Sequence, residues 1–320
     1  MHVVLVANPV KDFTPRRFRR TVDSRTHRAD PGEQACRQLQ LDTISKDNPK
    51  AVEILLPYTA SADGSDDEFA KEAFAGAWSV LQPYFKKGTA YSPSGLLTAD
   101  TTDGQWESVA FKIDKDSRIT DEITNRLKQK DSASHTRIDG IIAMNDYVAS
   151  GVVDALDHLG YTGSAADINP SITLPGIVGN ITGKQDLHRK KVPDPIKAPE
   201  NDGDAANDGS ASEKARDTQW PIITGYGAYV DELPQLVSGH QWMTAVEDRK
   251  GAATQLAQMC LKINQGTAVK SPQNLTKGTY PGVAGKNMPT LRPDLVAVSA
   301  SNLKSTLIDP GYITLADAGM

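Results

Sequence analysis

The sequence predicts an α/β fold: a doubly wound parallel sheet with helices on both of its faces. Short apolar runs recur along the chain at "AVEILLPY" (51–58), "IDGIIAMND" (138–146) and "WPIITGYGA" (220–228). Segments with helical periodicity separate these runs. Strands that alternate with helices in this way form parallel sheets, because each strand needs a crossover helix to reach the next one.

The first half of the chain is interpreted in order from these patterns. Residues 3–8, "VVLVAN", form a strand, and the basic, polar residues 11–30 form a solvated loop. A helix begins at about Pro31, where a proline fits the first turn. After the strand "AVEILLPY", residues 59–69 form a polar loop, and residues 70–85 form an amphipathic helix.

The next part contains the clearest strand and helix and also a break in the pattern. A helix is expected at about 118–130, and the strand "IDGIIAMND" leads into a helix over 148–161. Residues 183–217 are rich in proline, then in Asp, Asn, Gly, Ser and Ala. Such a composition buries too little apolar surface to offset its ordering entropy, so a flexible surface insertion is expected there.

The alternation resumes after this insertion. A short helix, a glycine turn and a strand are predicted within 232–246, and a helix over 250–266 ends at Gly266. Residues 295–319 are expected to form a strand, a short helix and a tail.

Composition and motifs exclude several classes of function. The net charge is −5, which argues against general binding of polyanions such as nucleic acids. Apolar runs are too short for a transmembrane helix. The motifs GxSxG, HExxH, GxxxxGK[ST] and GxGxxG are absent, and the six histidines are scattered, so neither an enzyme nor a metal or cofactor site is predicted. Cys36 and Cys260 are interpreted as buried thiols in helices.

Five stretches in order resemble one family of proteins. They are residues 65–88, 138–156, 221–246, 252–266 and 307–314. Together they resemble the type I periplasmic binding proteins of bacterial ABC importers, in the group that binds xylose, ribose and multiple monosaccharides. The resemblance implies two doubly wound lobes that close on a sugar by a hinge motion.

The resemblance also implies a domain organisation in which one lobe is complete and the other partial. Residues 1–30 would be a remnant of lobe one and 31–246 would form lobe two. Residues 247–289 would return to lobe one, and 290–320 would form a crossing strand and tail. Most of lobe one and the export signal would then lie outside this chain.

Three side chains match positions that face the sugar in the family. Asp67 follows the strand "AVEILLPY", Asn145 stands at the end of "IDGIIAMND", and Trp106 lies in a predicted cleft-edge loop. Each has a structural alternative: Asp67 and Asn145 could cap helices, and Trp106 could pack in the core. Asp146, next to Asn145, is interpreted as the cap of the following helix.

Other positions depart from the family's pattern. Asn8 stands where the family has an aspartate, and Phe69 replaces an asparagine. Tyr226 occupies a glutamine position, and Gly227 replaces an aspartate. The resemblance therefore implies a cleft with fewer polar contacts, in which Tyr226, Phe69 and Trp106 provide aromatic surface.

The expected function is that of a monomeric solute-binding protein that delivers a monosaccharide-like ligand to an ABC permease. Its expected location is the periplasm or the cell exterior, attached through a lipoprotein signal; a chain that truly starts at Met1 would be cytoplasmic. The alternatives are the cytosolic sugar-sensing domain of a transcriptional regulator, and a truncated remnant that binds nothing.

Overall fold

The computed structural model describes residues 4–5, 18–20, 24–58, 65–113, 118–127, 136–165, 217–266, 275–278, 288–291 and 295–320. The strands are β1 (Val4–Leu5), β2 (Phe18–Arg20), β3 (Lys50–Tyr58), β4 (Ala90–Tyr91), β5 (Ala110–Lys112), β6 (Gly140–Ala143), β7 (Ile222–Tyr226), β8 (Met243–Glu247), β9 (Leu275–Gly278), β10 (Met288–Leu291) and β11 (Leu295–Ser299). The α-helices are α1 (Ser24–Gln38), α2 (Ser65–Lys87), α3 (Arg118–Leu127), α4 (Asp146–His158), α5 (Leu233–Ser238) and α6 (Arg249–Asn264). Short 3₁₀ turns span Trp106–Ser108 and Val230–Glu232, and a short π-type helix spans Lys304–Ile308.

The main sheet has the predicted parallel architecture. Its strand order is β11-β8-β7-β6-β3-β4, and β5 pairs with the far end of β3. Strands β3 to β8 all run parallel, whereas β11 pairs antiparallel with β8 at one edge. The sequence prediction of an α/β fold built on a parallel sheet is confirmed.

Helices cover both faces of this sheet, and each face has its own core. Adjacent residues of β3 point to opposite faces, as the alternation of a strand requires. Ile54 packs with Trp78 of α2 in one core cluster, and Leu55 packs with Ile123 of α3 in the other. All four side chains are fully buried, and each burial contributes about 2 kcal/mol relative to exposure.

A second, smaller sheet joins the start of the chain to a later segment. Its order is β1-β2-β10-β9. Strands β1, β2 and β10 run parallel, and β9 pairs antiparallel with β10. The expected strand at 3–8 thus appears in its described part, Val4–Leu5.

Both early helices begin before their predicted starts. Helix α1 begins at Ser24 and contains Pro31 in its interior, so the prediction of a loop over 11–30 is wrong for Phe18–Arg20 and from Ser24 onward. Segment 24–30 has little apolar periodicity, but α1 packs along α2, and such packing overrides weak local preference. Helix α2 begins at Ser65, where acidic residues suit the positive end of the helix dipole.

The remaining helices lie close to their predicted positions. Helix α3 confirms the described part of the element predicted at 118–130. The short helix, turn and strand of 232–246 are α5, Gly239 in the left-handed conformation (φ 77°) and β8. Helix α6 stops before Gly266, which also has a positive φ of 68°.

The described residues that flank 166–216 meet at the amino-terminal edge of the sheet. The Thr162 N–H donates to the carbonyl of Thr218 at 2.8 Å, and the Trp220 N–H donates to the carbonyl of Thr162 at 2.8 Å. The Trp220 indole N–H donates to the carbonyl of His240 at 2.8 Å, just before β8. The insertion itself, predicted at 183–217, lies outside the described residues apart from Asp217.

Membrane-spanning character is not found in the described part of the chain. None of its helices combines sufficient length with sufficient apolar character to cross a bilayer.

Candidate ligand-binding site

The main sheet has a topological switch point between β3 and β6. From β3 the chain crosses to β4 and β5 on one side, and it then returns to β6 on the other side. In open α/β sheets, the crevice outside the carboxyl ends of the strands at such a point is where ligands bind. Tyr58 ends β3 and Asn145 follows β6, so both residues lie at this crevice.

Asn145 is the N-cap of helix α4. Its backbone is extended (φ −159°, ψ 170°), and its Oδ1 accepts a hydrogen bond from the Val148 N–H at 2.8 Å. The side chain is half-buried. Capping uses only the carbonyl oxygen, so the amide NH₂ group can donate elsewhere. A cap and a ligand-binding amide are therefore compatible in one residue.

Asp146 is not the cap that the sequence suggested. It is the first residue of α4, and it is only 1% exposed. Its Oδ1 accepts from Gln241 Nε2 at 2.8 Å, and its Oδ2 accepts from the Thr244 hydroxyl at 2.9 Å. The Tyr229 N–H donates to Oδ2 at 3.1 Å. Asn145 takes the cap because its extended backbone aims its side chain along the helix start, whereas Asp146 turns back towards β8.

The protonation of Asp146 reflects two opposing effects. Burial raises its pKa, because the charged carboxylate loses its hydration. The hydrogen bonds from Gln241, Thr244 and the Tyr229 backbone act in the opposite direction and lower the pKa. Each of these three partners donates to Asp146, an arrangement that an ionised carboxylate satisfies and a protonated one does not.

Three successive backbone amides of the turn after β7 are anchored. Gly227 N–H donates to the carbonyl of Ala245 at 2.9 Å, and Ala228 N–H donates to the Thr244 hydroxyl at 3.2 Å. Tyr229 N–H reaches Asp146. Ala228 has a φ of 47°, a left-handed conformation that side chains rarely adopt. The anchors therefore hold a strained turn at the carboxyl end of β7.

Two glycines make this arrangement sterically possible. A Cβ on Gly225 would lie 2.1 Å from Asp146 Oδ1 and 2.5 Å from Gln241 Nε2. A Cβ on Gly227 would lie 2.4 Å from the Tyr229 ring, and Gly227 also has a φ of 121°. Position 225 is thus a glycine because the buried Asp146 carboxylate lies against it, and position 227 is a glycine because the Tyr229 ring does.

Tyr226 ends β7 on the face covered by α1 and α2. Its ring is half-buried against that core cluster, and its hydroxyl donates to Glu247 Oε1 at 3.2 Å. This pair lies at the carboxyl ends of β7 and β8, on the same sheet edge as Asn145. The structure therefore brings Tyr226 and Asn145 to one edge of the sheet, and their role in binding stays a prediction.

Trp106 packs against the end of β3. It is 8% exposed, and its ring meets the Tyr58 ring edge-to-face with centroids 5.4 Å apart. Lys112 Nζ lies 5.7 Å from the centroid of Tyr58. This geometry favours the core alternative for Trp106, with Tyr58 as the more exposed aromatic at the switch point.

A buried ion pair fixes the segment that carries Trp106. Glu53 in β3 is fully buried and accepts from the Ser92 hydroxyl at 2.7 Å and from Ser94 N–H at 2.9 Å. Arg126 Nη1 lies 3.3 Å from Glu53 Oε2, and Arg126 Nη2 donates to the carbonyl of Val109 at 2.7 Å. Glu53 and Arg126 thus anchor both ends of the segment between β4 and β5.

The other predicted site residues are only partly located. Asp67 and Phe69 lie in the first turns of α2, directly after β3 and its connecting residues, but their side chains are outside the described set. Asn8 lies outside the described residues altogether. Their roles in binding stay predictions.

Sequence reasoning missed the residues that organise this edge, namely Gln241, Thr244, Tyr229 and Gly225. Gln241 and Thr244 are 95 and 98 residues from Asp146, so no local pattern joins them. The signal that could have found them is the pair of glycines flanking Tyr226, since two glycines at the end of a buried strand indicate close approach of other groups.

Comparisons with known proteins agree with the resemblance seen in the sequence. The chain is 24% identical over 253 residues to a multiple sugar-binding periplasmic protein of Azospirillum brasilense, an alignment that covers 78% of this chain and 52% of that protein. The chain thus spans about half the length of this curated relative. No family model matches the chain.

Solved structures show the fold. A solute-binding protein of an ABC transporter from Clostridium phytofermentans, solved with β-D-glucose, superposes with a TM-score of 0.63 at 20% identity, covering 99% of this chain and 75% of the other. A carbohydrate-transporter solute-binding protein from Chloroflexus aurantiacus, solved with D-glucose, gives 0.61 at 17% identity, with 99% and 74% covered. The chain has the α/β fold of the solute-binding proteins of sugar ABC transporters.

Proposed function

We propose that this protein is the solute-binding component of an ABC-type importer, which holds a monosaccharide-like ligand in a cleft that closes by a hinge. The observation that carries the proposal is the position of Asn145. It stands at the carboxyl end of β6, beside the switch point, and its NH₂ group is not used in capping α4.

The chemistry of this edge suits a sugar. Sugar hydroxyls are bound by planar amides and carboxylates, and the C–H face of the ring packs on aromatic side chains. Asn145 supplies an amide, and Asp67 at the start of α2 would supply a carboxylate from the other side of the switch point. Tyr58 and Tyr226 end β3 and β7 and add aromatic surface at the same edge. Phe69 and Asn8 would complete the cleft.

The lobe organisation is part of the proposal. Residues 1–30 and 247–289 would belong to a partial lobe one, 31–246 would form lobe two, and 290–320 would form a crossing strand and tail. Support comes from the small sheet, in which β1 pairs with β2, β2 pairs with β10 at Thr290 and Leu291, and β10 pairs in turn with β9 of the returning segment.

Partners and location follow from the same proposal. The ligand-loaded protein would deliver its sugar to an ABC permease, as a monomer and without catalysing a reaction. The curated relative is named as periplasmic, which supports a location outside the cytoplasmic membrane. The lipoprotein anchor expected from the resemblance stays a prediction.

Two substitutions of Asn145 separate ligand binding from capping. Asn145→Ala removes both the cap and the amide donor, so it should destabilise the fold by about 1 kcal/mol and weaken sugar binding at least about tenfold. Asn145→Ser keeps a capping oxygen but lacks the amide donor, so it should keep the stability and still weaken binding. Calorimetric titrations with D-glucose, D-xylose and D-ribose, together with urea unfolding, measure both quantities.

The wild-type titration tests the function itself. Saturable binding of one of these sugars, weakened in both variants, supports the proposal. Wild-type affinity in Asn145→Ser would remove Asn145 from the site. Absence of binding of any of the three sugars to the wild-type protein would contradict the proposed function.

A further inference from the structure

We propose that Asp146 is a positioning residue, which fixes the turn Gly227–Tyr229 so that the Tyr229 ring lies over Gly227 as an aromatic face for the ligand. The inference rests on the proposed function for its ligand, but its geometric part is independent of any ligand. It assigns a role to a buried carboxylate and to an exposed ring, neither of which capping or core packing explains.

The first step is that the turn depends on groups outside itself. Ala228 has a left-handed backbone, which an alanine adopts only where its surroundings impose it. The amides on either side of that strain are tied to distant elements: Ala228 N–H to Thr244 in β8, and Tyr229 N–H to Asp146 in α4. Thr244 also links Ala228 to Asp146, because its hydroxyl accepts a hydrogen bond from the Ala228 N–H and donates one to Asp146.

The second step is that a carboxylate is required at this position. Asp146 receives donors on both oxygens, from Gln241 on one and from Thr244 and Tyr229 on the other. An asparagine would set its NH₂ group against one of these donors. Gln241 cannot adapt by flipping its amide, because its Nε2 also donates to the carbonyl of Met243 at 3.0 Å. A flip would place the Gln241 Oε1 against the carbonyl oxygen of Met243.

The third step concerns what the turn displays. Tyr229 is 44% exposed although its ring covers Gly227 closely enough to exclude any side chain there. The ring therefore occupies the space beside the carboxyl end of β7 that a residue with a Cβ would need. An exposed aromatic face held by a backbone anchor suits the apolar C–H side of a sugar ring.

A spectroscopic test follows the Tyr229 ring without any ligand. The full chain is labelled with 3-fluorotyrosine, and Tyr229→Phe identifies the Tyr229 resonance in the fluorine spectrum. Asp146→Asn should move this resonance towards that of free 3-fluorotyrosine, whereas Asp154→Asn, an exposed change on the same helix, should leave it in place. An unmoved Tyr229 resonance in a folded Asp146→Asn variant would overturn the proposal.

A second variant decides the question if Asp146→Asn does not fold. Thr244→Val keeps the shape of the side chain and leaves Asp146 intact, but it removes the hydroxyl that links Ala228 to Asp146. The same displacement of the Tyr229 resonance is expected, and a wild-type spectrum for Thr244→Val would likewise count against the proposal.

Ligand titration then tests the role of the ring. With D-glucose as the probe, Asp146→Asn and Tyr229→Ala should each weaken binding about tenfold, and Asp154→Asn should bind as the wild type does. Wild-type affinity in Tyr229→Ala would overturn the ligand role of the ring. A wild-type protein that binds no sugar would refute the proposed function and the ligand role together, while the fluorine spectrum would still decide whether Asp146 positions Tyr229.

Discussion

Two neighbouring residues after β6 have different structural roles, and the sequence alone could not predict which residue has which role. Asn145 and Asp146 are both good capping residues, and helix starts shift by one residue between equally reasonable interpretations. The structure gives the cap to Asn145 and buries Asp146. Burial decides this assignment, and it depends on Gln241 and Thr244, which are 95 and 98 residues away in sequence.

The two cysteines should differ strongly in reactivity. Both lie in helices as predicted, but Cys36 is buried and Cys260 is exposed, so the prediction of a second buried thiol is wrong. Cys260 is exposed because it lies on the outer side of α6, away from Met259, which is buried. Burial, with the charges of Asp42 and Glu33 as lesser causes, raises the pKa of Cys36 to about 12.

Thiol titration with Ellman's reagent at pH 8 should therefore modify Cys260 readily and leave Cys36 unmodified until the protein unfolds, because the thiolate is the reactive form. Cys260→Ser should abolish the reaction of the native protein and leave one thiol after denaturation. Equal rates for both thiols in the native wild type would show that Cys36 is not buried in solution.

At the scale of elements, one buried ion pair joins β3, α3 and the segment between β4 and β5. A glutamate inside the apolar run "AVEILLPY" has no explanation in local sequence, because its partner Arg126 is 73 residues away. The strand and the helix could each be predicted from periodicity, but the pairing of their charges could not. Trp106 owes its buried position against Tyr58 to this anchored segment.

Arg126→Leu should destabilise the protein by about 3–5 kcal/mol, because it leaves the Glu53 carboxylate buried without its cation. The double variant Glu53→Leu with Arg126→Leu should recover much of that loss, since apolar side chains replace both charges. Urea unfolding measures both. Lys304→Ala, which breaks an exposed pair with Asp309, serves as the control and should cost at most about 1 kcal/mol.

A loss for Arg126→Leu no larger than that for Lys304→Ala would contradict the buried pair. A double variant as unstable as the single one would show that the hydrogen bonds from Arg126 to the carbonyls of Ile54 and Val109 matter more than the charge of Glu53.

At the scale of the whole molecule, the described residues that flank 166–216 and the candidate site lie at opposite edges of the main sheet. Thr162 is hydrogen-bonded to Thr218 and Trp220 at the amino edge, before β7 begins. Asn145 and Tyr226 lie at the carboxyl edge.

Deletion of residues 183–217 should shift the melting temperature by no more than about 2 °C, because the hydrogen bonds of Thr218 and Trp220 lie outside the deleted stretch and loop length has a weak effect on stability. Trp220→Ala removes a buried anchor and should lower the melting temperature clearly. Differential scanning calorimetry compares the two. A deletion as damaging as Trp220→Ala would mean that the insertion packs against the domain.

The fold was more predictable than the site, for a physical reason. Periodicity is local, so the parallel sheet, its longer strands and helices α3 to α6 could be predicted, whereas the short strands β5, β9 and β10 could not. The helix starts at Ser24 and Ser65 could not, because packing between α1 and α2 outweighs weak local patterns there. Of the proposed site, the sequence indicated Asn145 and Tyr226, which stand just after or at the end of a strand, but not Tyr229, whose place depends on a turn anchored from elsewhere.

The anchoring of the turn Gly227–Tyr229 has a consequence for the order of folding. Two of its amides take partners from β8, the nearer of which is 16 residues away, whereas the Tyr229 amide takes Asp146 of α4, which is 83 residues away. A contact of such large separation as that with Asp146 forms slowly, since the intervening loops must close first. The turn can therefore adopt its left-handed geometry only once β6, β7 and β8 are in register. A nascent chain would acquire this turn last, and misregistered or partly assembled intermediates would lack the Tyr229 face that we propose for the ligand.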